Sequence, residues 1–476
     1  MHELTLTING RPQRIEGDPH TTLLSFLRAR GLTGTKEGCA EGECGACAVL
    51  LLRRDATGRT RYEPVNSCLV LVAALAGEEL WTVEGLAREG ALHPVQESMV
   101  ATGGSQCGYC TPGFVVSLFA EYYRPGRDAG ASEGGWDPES IGGNLCRCTG
   151  YRPIRDVGRA LGAPAMDDPF VARLEGAPPE LVSTLHESDG RRLHRPSGLA
   201  ELFSILKREP GARLVAGGTD VVVEVNQRDA RFDALVSLEA IAELRGVRWE
   251  DDALVIGAAE PLSHLEDHLA GRLPMLEQLL PLFSSRLVRN RATLGGNIVN
   301  ASPIGDGPPA LLALDAELSL ASADGERTVP LEGFFTGYRQ TALRPGEILE
   351  SVRVPRPFAR IQRFYKISKR ELDDISTVAA AFALDLDRDG MVTKARLAYG
   401  GVAATPVRAH DAERVLEGAI WSVETVGRAR TALEGAFSPI SDHRGSAEYR
   451  QAMVLSLLDK LWAETAPSAP PAEARP

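Results

Sequence analysis

The chain has 476 residues, 43% of them hydrophobic and 24% charged, with a formal net charge of −12. That length asks for roughly three domains of ~150 residues, the composition is not that of a disordered chain, and an acidic chain without basic, aromatic-interleaved runs offers nucleic acid no footing. The longest apolar run, residues 68–77, is about half the ~20 residues a membrane span needs, and eight cysteines in two tight groups point to a reducing, cytoplasmic setting with metal or redox chemistry rather than disulfides.

In chain order, residues 1–10 alternate apolar and polar side chains and turn at Asn9-Gly10, which predicts a β-hairpin rather than a signal peptide. Residues 1–84 are β-rich by pattern, with a helix at 22–30 and a strand at 47–52. Residues 85–162 are helical: Thr111-Pro112 is an expected N-cap and first helical position, and Asp137-Pro138 is a second such start. Residues 163–192, rich in Pro, Ala and acidic side chains, are expected to be a linker. Residues 193–357 mix helices at 199–207 and 275–282 with strands at 214–215, 221–225, 235–238 and 254–256. Residues 358–466 add strands at 377–386 and 395–399 and an amphipathic helix at 449–462. Residues 467–476 are expected to be a disordered tail. The whole is a multidomain α+β chain.

Cys39, Cys44, Cys47 and Cys68 follow the x4/x2 spacing of a plant-type ferredoxin, three thiolates from one loop and a fourth from a neighbouring segment. Gly31, Gly34, Gly38, Gly42 and Gly45 let that loop fold tightly and aim N–H groups at cluster sulfur. A structural zinc site is the alternative. Cys107-x2-Cys110 and Cys146-x-Cys148 supply four more thiolates, each pair at a helix start, where an anionic cluster is favoured. Spacing alone would leave a zinc ribbon in competition here. The tally favours two 2Fe–2S clusters, because all eight cysteines are used, four per site.

Further on, Leu214, Val215, Ala216, Gly217, Gly218, Thr219 and Asp220 form a strand running into a double glycine, and Thr293, Gly295, Gly296 and Asn297 form a similar element. Paired glycines allow a nest of N–H groups around a pyrophosphate, with a plain turn as the alternative. Residues 305–310 match G-x-G-x-x-A formally, but two prolines remove the N–H groups a dinucleotide would need. His264 and His268 share a helical face, and without a third ligand they predict a solvated face rather than zinc.

Residues 106–113 (QCGYCTPG) and 143–151 (GNLCRCTGY) resemble the signature of the molybdenum hydroxylase (xanthine oxidase) family. The resemblance covers nearly the whole chain. It implies a β-grasp plant-type ferredoxin domain (1–84), a helical-bundle 2Fe–2S domain (85–162), a two-subdomain FAD-binding region (193–357) and an α+β C-terminal flavoprotein domain (358–466). It also implies that Gln106 and Cys148 lie against the pterin of a partner, and that 214–220, Thr293, Gly295, Gly296, Asn297 and Ser302 contact FAD. By the same match Asp306 binds the nucleotide end, Phe283 stacks near the isoalloxazine, and Lys366 sits beside the flavin. The alternatives for Phe283 and Lys366 are a core residue and a surface lysine. Iron–sulfur and FAD modules on one chain are similar to the small subunit in the bacterial xanthine dehydrogenase branch. That implies a large molybdopterin-binding partner, an (αβ)2 heterotetramer, NAD as acceptor, and no membrane. A stand-alone iron–sulfur flavoprotein reductase, or the equivalent subunit of another molybdenum hydroxylase, is the alternative.

Overall fold

The computed structural model describes residues 3–466. The expected tail at 467–476, and residues 1 and 2 of the opening hairpin, lie outside the described residues. The N-terminal alternation forms antiparallel Thr5–Ile8 and Arg11–Arg14, joined at Asn9 (φ 51°) and Gly10 (φ 75°), the left-handed pair a two-residue hairpin turn requires. Thr5–Ile8 also pairs in parallel with Glu79–Trp81, and Ala48–Arg54 and Thr60–Asn66 complete a five-stranded sheet. Helix Leu23–Ala29 starts where the Thr22 hydroxyl accepts from Ser25 N at 3.2 Å. Its buried Leu23, Leu24, Phe26 and Leu27 pack on Leu6, Ile8, Val49 and Leu51, which gives the expected β-grasp.

Helices Pro94–Ala101, Thr111–Tyr122 and Arg152–Arg159 make the second unit. Cys110, not Thr111, occupies the N-cap, so Thr111 and Pro112 lie inside the first turn. The 163–192 segment is more than a linker. Asp168 caps helix Pro169–Glu175, accepting from Phe170 N at 2.8 Å, and Phe170 is buried among Tyr62, Trp81 and Phe119 with ring centroids 4.9–6.1 Å away. Burying one such ring is worth about 1.5–3 kcal/mol, enough to hold a two-turn helix against the sheet. Thr184–Ser188 then opens the next sheet.

That sheet has the order Thr184–Ser188, Arg191–Arg195, Ala234–Ser237, Arg213–Val215, the last two pairings parallel. An antiparallel sheet follows, Val247–Trp249, Ala253–Gly257, Ile348–Pro355, Glu317–Ser322 and Gly325–Pro330. Residues 221–225, expected as a strand, begin helix Val221–Arg228. Val221, Val222 and Val225 are buried at i, i+1 and i+4, a helical spacing, and Val221 and Val222 share a core with Leu69 and Leu71 of the ferredoxin unit. The helical penalty of valine is a few tenths of a kcal/mol each, less than this burial returns. The last unit is an antiparallel sheet, Ile361–Ile367, Val378–Leu386, Val392–Gly400 and Val407–Arg408, covered by Val423–Leu433 and Ala447–Thr465. No helix among the described residues is long and apolar enough to cross a membrane.

Candidate functional site

Cys39 and Cys44 lie on the loop before strand Ala48–Arg54, Cys47 at its entry, and Cys68 in the 3-10 turn Ser67–Leu69. Cys39 stands beside Cys44 and Cys68, and Cys47 beside Cys68, close enough for each thiol to shift its neighbour's ionisation. Cys44 and Cys68 hold the Cys39 thiol low while Cys39 pushes Cys44 up, so thiols this close do not ionise independently. As expected of the loop, Glu41 N donates to Cys39 Sγ at 3.5 Å. Glycine is obligatory at Gly42 (φ 88°), where a Cβ would meet Leu69 Cδ1 at 2.4 Å.

The second group is built from two helix approaches. Cys107 pairs with Cys148 and Cys110 with Cys146. Thr149 N donates to Cys146 Sγ at 3.5 Å, and burial pushes the Cys110 thiol up to about 12. Cys107, Cys148 and the neighbouring Gln106 are exposed. Among the described residues, no three of His, Cys, Asp or Glu close on one point as around a single ion.

The two groups touch. Leu145 N, one residue before Cys146, donates to Cys44 O at 3.0 Å, and Asn144 Nδ2 donates to Gly45 O at 3.1 Å. Main chains meet so closely that a Cβ on Gly45 would lie 2.3 Å from Gly143 O, and one on Gly113 2.2 Å from Gly45 O.

Beside the first group opens a cavity of about 740 Å³. Of the residues expected there, Leu214, Ala216, Gly217, Gly218, Thr219, Asp220, Phe283, Thr293, Gly295, Gly296 and Asn297 line it. Val215, Ser302, Asp306 and Lys366 do not. Val215 is buried in the core shared with the ferredoxin unit. Asp306 binds Lys366 Nζ at 2.8 Å and Ser376 Oγ at 2.5 Å, while Gly307 N binds Asn297 Oδ1 at 3.0 Å. Lys366 is thus a buried counter-ion, not a surface lysine, and Gly307, next to Asp306, fixes the Asn297 amide.

The glycines answer a second demand besides ligand approach. A Cβ on Gly217 would sit 1.8 Å from Arg291 O, and one on Gly295 2.5 Å from Ala258 O. Thr293, Gly295 and Gly296 open helix Leu294–Val299 rather than a strand-turn, with Gly296 N donating to Thr293 Oγ1 at 3.0 Å.

The wall supplied by Glu41, Gly42, Glu43 and Leu69 of the ferredoxin unit carried no local signal, and the carboxylate of Asp373 also lines the cavity. Burial raises Asp373 to about 6, while Ser284 Oγ donates to it at 2.9 Å. Pattern reading missed the amide clamp of helix Val221–Arg228. Asn226 Nδ2 donates to Cys68 O at 2.8 Å and Ala40 O at 2.9 Å, and Gln227 Nε2 to Cys39 O at 3.0 Å. An Asn-Gln pair carries no signal by itself. His264 is not on a solvated face. It is buried between Glu260 and Glu63, 3.1 Å from each, and joins the FAD-side helix to the ferredoxin sheet.

Comparisons with known proteins match this layout in chain order. Residues 6–73 match a 2Fe-2S iron-sulfur cluster binding domain and 82–159 a [2Fe-2S] binding domain. Residues 187–357 match the FAD binding domain in molybdopterin dehydrogenase, and 363–465 the CO dehydrogenase flavoprotein C-terminal domain. The xanthine dehydrogenase of Emericella nidulans is 33% identical over 94% of this chain and 37% of its own length. The xanthine dehydrogenase/oxidase of Gallus gallus is 31% identical over 97% of this chain and 40% of its own. The chain therefore spans well under half the length of these curated relatives. A solved chain of carbon monoxide dehydrogenase from Hydrogenophaga pseudoflava is 32% identical with a TM-score of 0.54, covering 57% of this chain and 96% of that one.

Proposed function

The chain belongs to the molybdenum hydroxylase family, and from that premise we propose that it is the iron–sulfur and FAD electron-transfer part of an NAD-dependent xanthine dehydrogenase. In this reading a large molybdopterin-binding subunit, its partner in a cytoplasmic (αβ)2 heterotetramer, hydroxylates hypoxanthine to xanthine and xanthine to urate. When bound, two 2Fe–2S clusters supply one-electron relay, and FAD supplies the step from single electrons to a hydride given to NAD.

Cys107, Cys110, Cys146 and Cys148 hold the receiving cluster at the surface, where exposed Gln106 and Cys148 are open to a pterin-bearing partner. Cys39, Cys44, Cys47 and Cys68 hold the inner cluster, with Cys47 and Cys68 buried in the β-grasp core and Cys39 and Cys44 half-buried beside it. Leu214, residues 216–220, Thr293, Gly295, Gly296 and Asn297 seat FAD, with Phe283 against its ring system and the Asp306–Lys366 pair as a brace rather than a contact. The observation that carries the reading is the Leu145 N to Cys44 O hydrogen bond. It puts a ligand of one cluster a single peptide and one hydrogen bond from a ligand of the other, while Leu69, next to Cys68, lines the flavin cavity.

The test is anaerobic purification with the co-expressed molybdopterin chain, followed by iron, sulfide and flavin analysis and a xanthine:NAD assay. About four irons and one FAD per chain, with xanthine-dependent NAD reduction, is the expected result. Zinc in place of iron and sulfide overturns the redox reading. A chain that stays alone and reduces acceptors without a molybdopterin partner overturns the subunit reading.

A further inference from the structure

The flavin cavity carries the wrong net charge for its ligand. Seven carboxylates line it, Asp220 and Asp373 among them, against two cations, Arg213 and Arg339. Arg213 is already paired with Glu224 at 3.6 Å. Arg339 has no ion pair and no side-chain hydrogen bond among the described residues, so it is the uncommitted cation of the wall. A dinucleotide brings two more negative charges into this space, and main-chain N–H groups are a partial offset only.

Where Arg339 sits is as telling as its lack of a partner. Strands Phe335–Gly337 and Gln340–Thr341 form a small hairpin whose turn is Tyr338-Arg339. Arg339 takes φ 53°, a left-handed conformation that glycine or asparagine adopts more cheaply than arginine. Arg339 also acts electrostatically on Asp220, at the end of the double-glycine loop: burial raises that carboxyl, and the Arg339 charge opposes the rise. Asp220 is otherwise held by Asn300 Nδ2 at 3.0 Å.

We propose that Arg339, presented from the hairpin tip, is the counter-charge for the FAD pyrophosphate. The inference rests on the FAD reading above. The hairpin then serves as the outer wall of the phosphate end, and a planar guanidinium binds phosphate oxygens two at a time.

Arg339→Gln and Arg339→Lys test it in the full chain, with clusters retained and flavin stripped and then titrated back as FAD at low and high salt. Arg339→Gln should weaken FAD about tenfold to a hundredfold, with cluster absorbance unchanged. It should also flatten the salt dependence of FAD affinity, because a screened charge pair has been removed. Arg339→Lys should keep the salt dependence and recover part of the affinity. Unchanged FAD affinity in Arg339→Gln overturns the proposal, as does weakened affinity with the full salt dependence retained. A parent chain that binds no FAD overturns the flavin reading itself, which no Arg339 variant can do.

Discussion

Cys47 and Cys68 are 2% and 1% exposed, whereas Cys107 and Cys148 lie in solvent on the other side of one hydrogen-bonded seam. The inner group is finished by the chain itself. A sheet packs beneath it, helix Val221–Arg228 clamps its loop through Asn226 and Gln227, and Leu69 passes its surroundings on to the cavity. The outer group has helix Thr111–Tyr122 behind it, with Cys107 and Cys148 exposed. In the proposed reading two thiol sets of like chemistry divide the work, the more buried one for transfer within the chain and the more exposed one for transfer into it. Burial also sets their electrostatics apart, since a charged cluster in a dry core is harder to reduce than the same cluster in water unless N–H groups compensate.

The strongest way to break this contrast is to remove one ligand from each side. Cys68→Ala should lose about half the iron and all cluster-to-flavin transfer, read by rapid anaerobic reduction. Cys148→Ser should lose a similar share of iron yet leave NADH reduction of flavin and inner cluster intact. If both variants abolish flavin reduction by NADH, the outer group is not peripheral to the wire.

The seam between the groups comes next. Gly45→Ala would drive a methyl against Gly143 and Asn144 at a φ of 64° and should cost about 3 kcal/mol in denaturant unfolding. Gly150→Ala, also left-handed but with nothing within 4 Å, should cost only about 1 kcal/mol. Equal costs would mean that the close approach of the two units carries no stability.

A pH effect of smaller size should come from His264. Burial alone would lower its pKa, but the bonds to Glu260 and Glu63 raise it above the ordinary value of 6.5. Its stabilisation is therefore present below pH 6.5 and fades as pH climbs through the raised folded value. Glu260, which burial would raise, is held down at about 2 by His264 and Arg245, so its share is present above pH 4.5 and lost as pH falls toward 2. His264→Gln should cost about 2 kcal/mol near pH 6 and less once pH has passed the raised folded value, measured by chemical unfolding across pH. A pH-independent cost would contradict an imidazolium at that joint. The smallest effect is expected of Gln106→Ala, within about 0.5 kcal/mol for the chain alone, with any larger change confined to affinity for the partner.

Much of this was legible beforehand because it is local. The hairpin at Asn9-Gly10, the helix beginning near residue 22 and the spacing of the eight cysteines are all decided within a few residues. What escaped was decided at a distance. Helix Val221–Arg228 looks like a strand until Leu69 and Leu71 stand behind it. Phe170 turns an expected linker into core because Tyr62 and Trp81 wait for it, although Asp168-Pro169 was as good a helix start as Asp137-Pro138. His264 meets Glu63 across 201 positions, and Asp306 meets Lys366 across 60, separations no short window can register.

The contact of Gly218 with Leu69 has a consequence for how the protein is made. A Cβ on Gly218 would lie 2.9 Å from Leu69 O, so the flavin cavity is closed by backbone from two modules about 150 positions apart. A nascent chain leaves the ribosome N-terminus first, and the wall at residues 41–69 exists well before the loop that completes the pocket has been synthesised. Maturation is thereby ordered in time. The inner cluster's fold can form while translation continues, and flavin capture waits until the later module docks onto it.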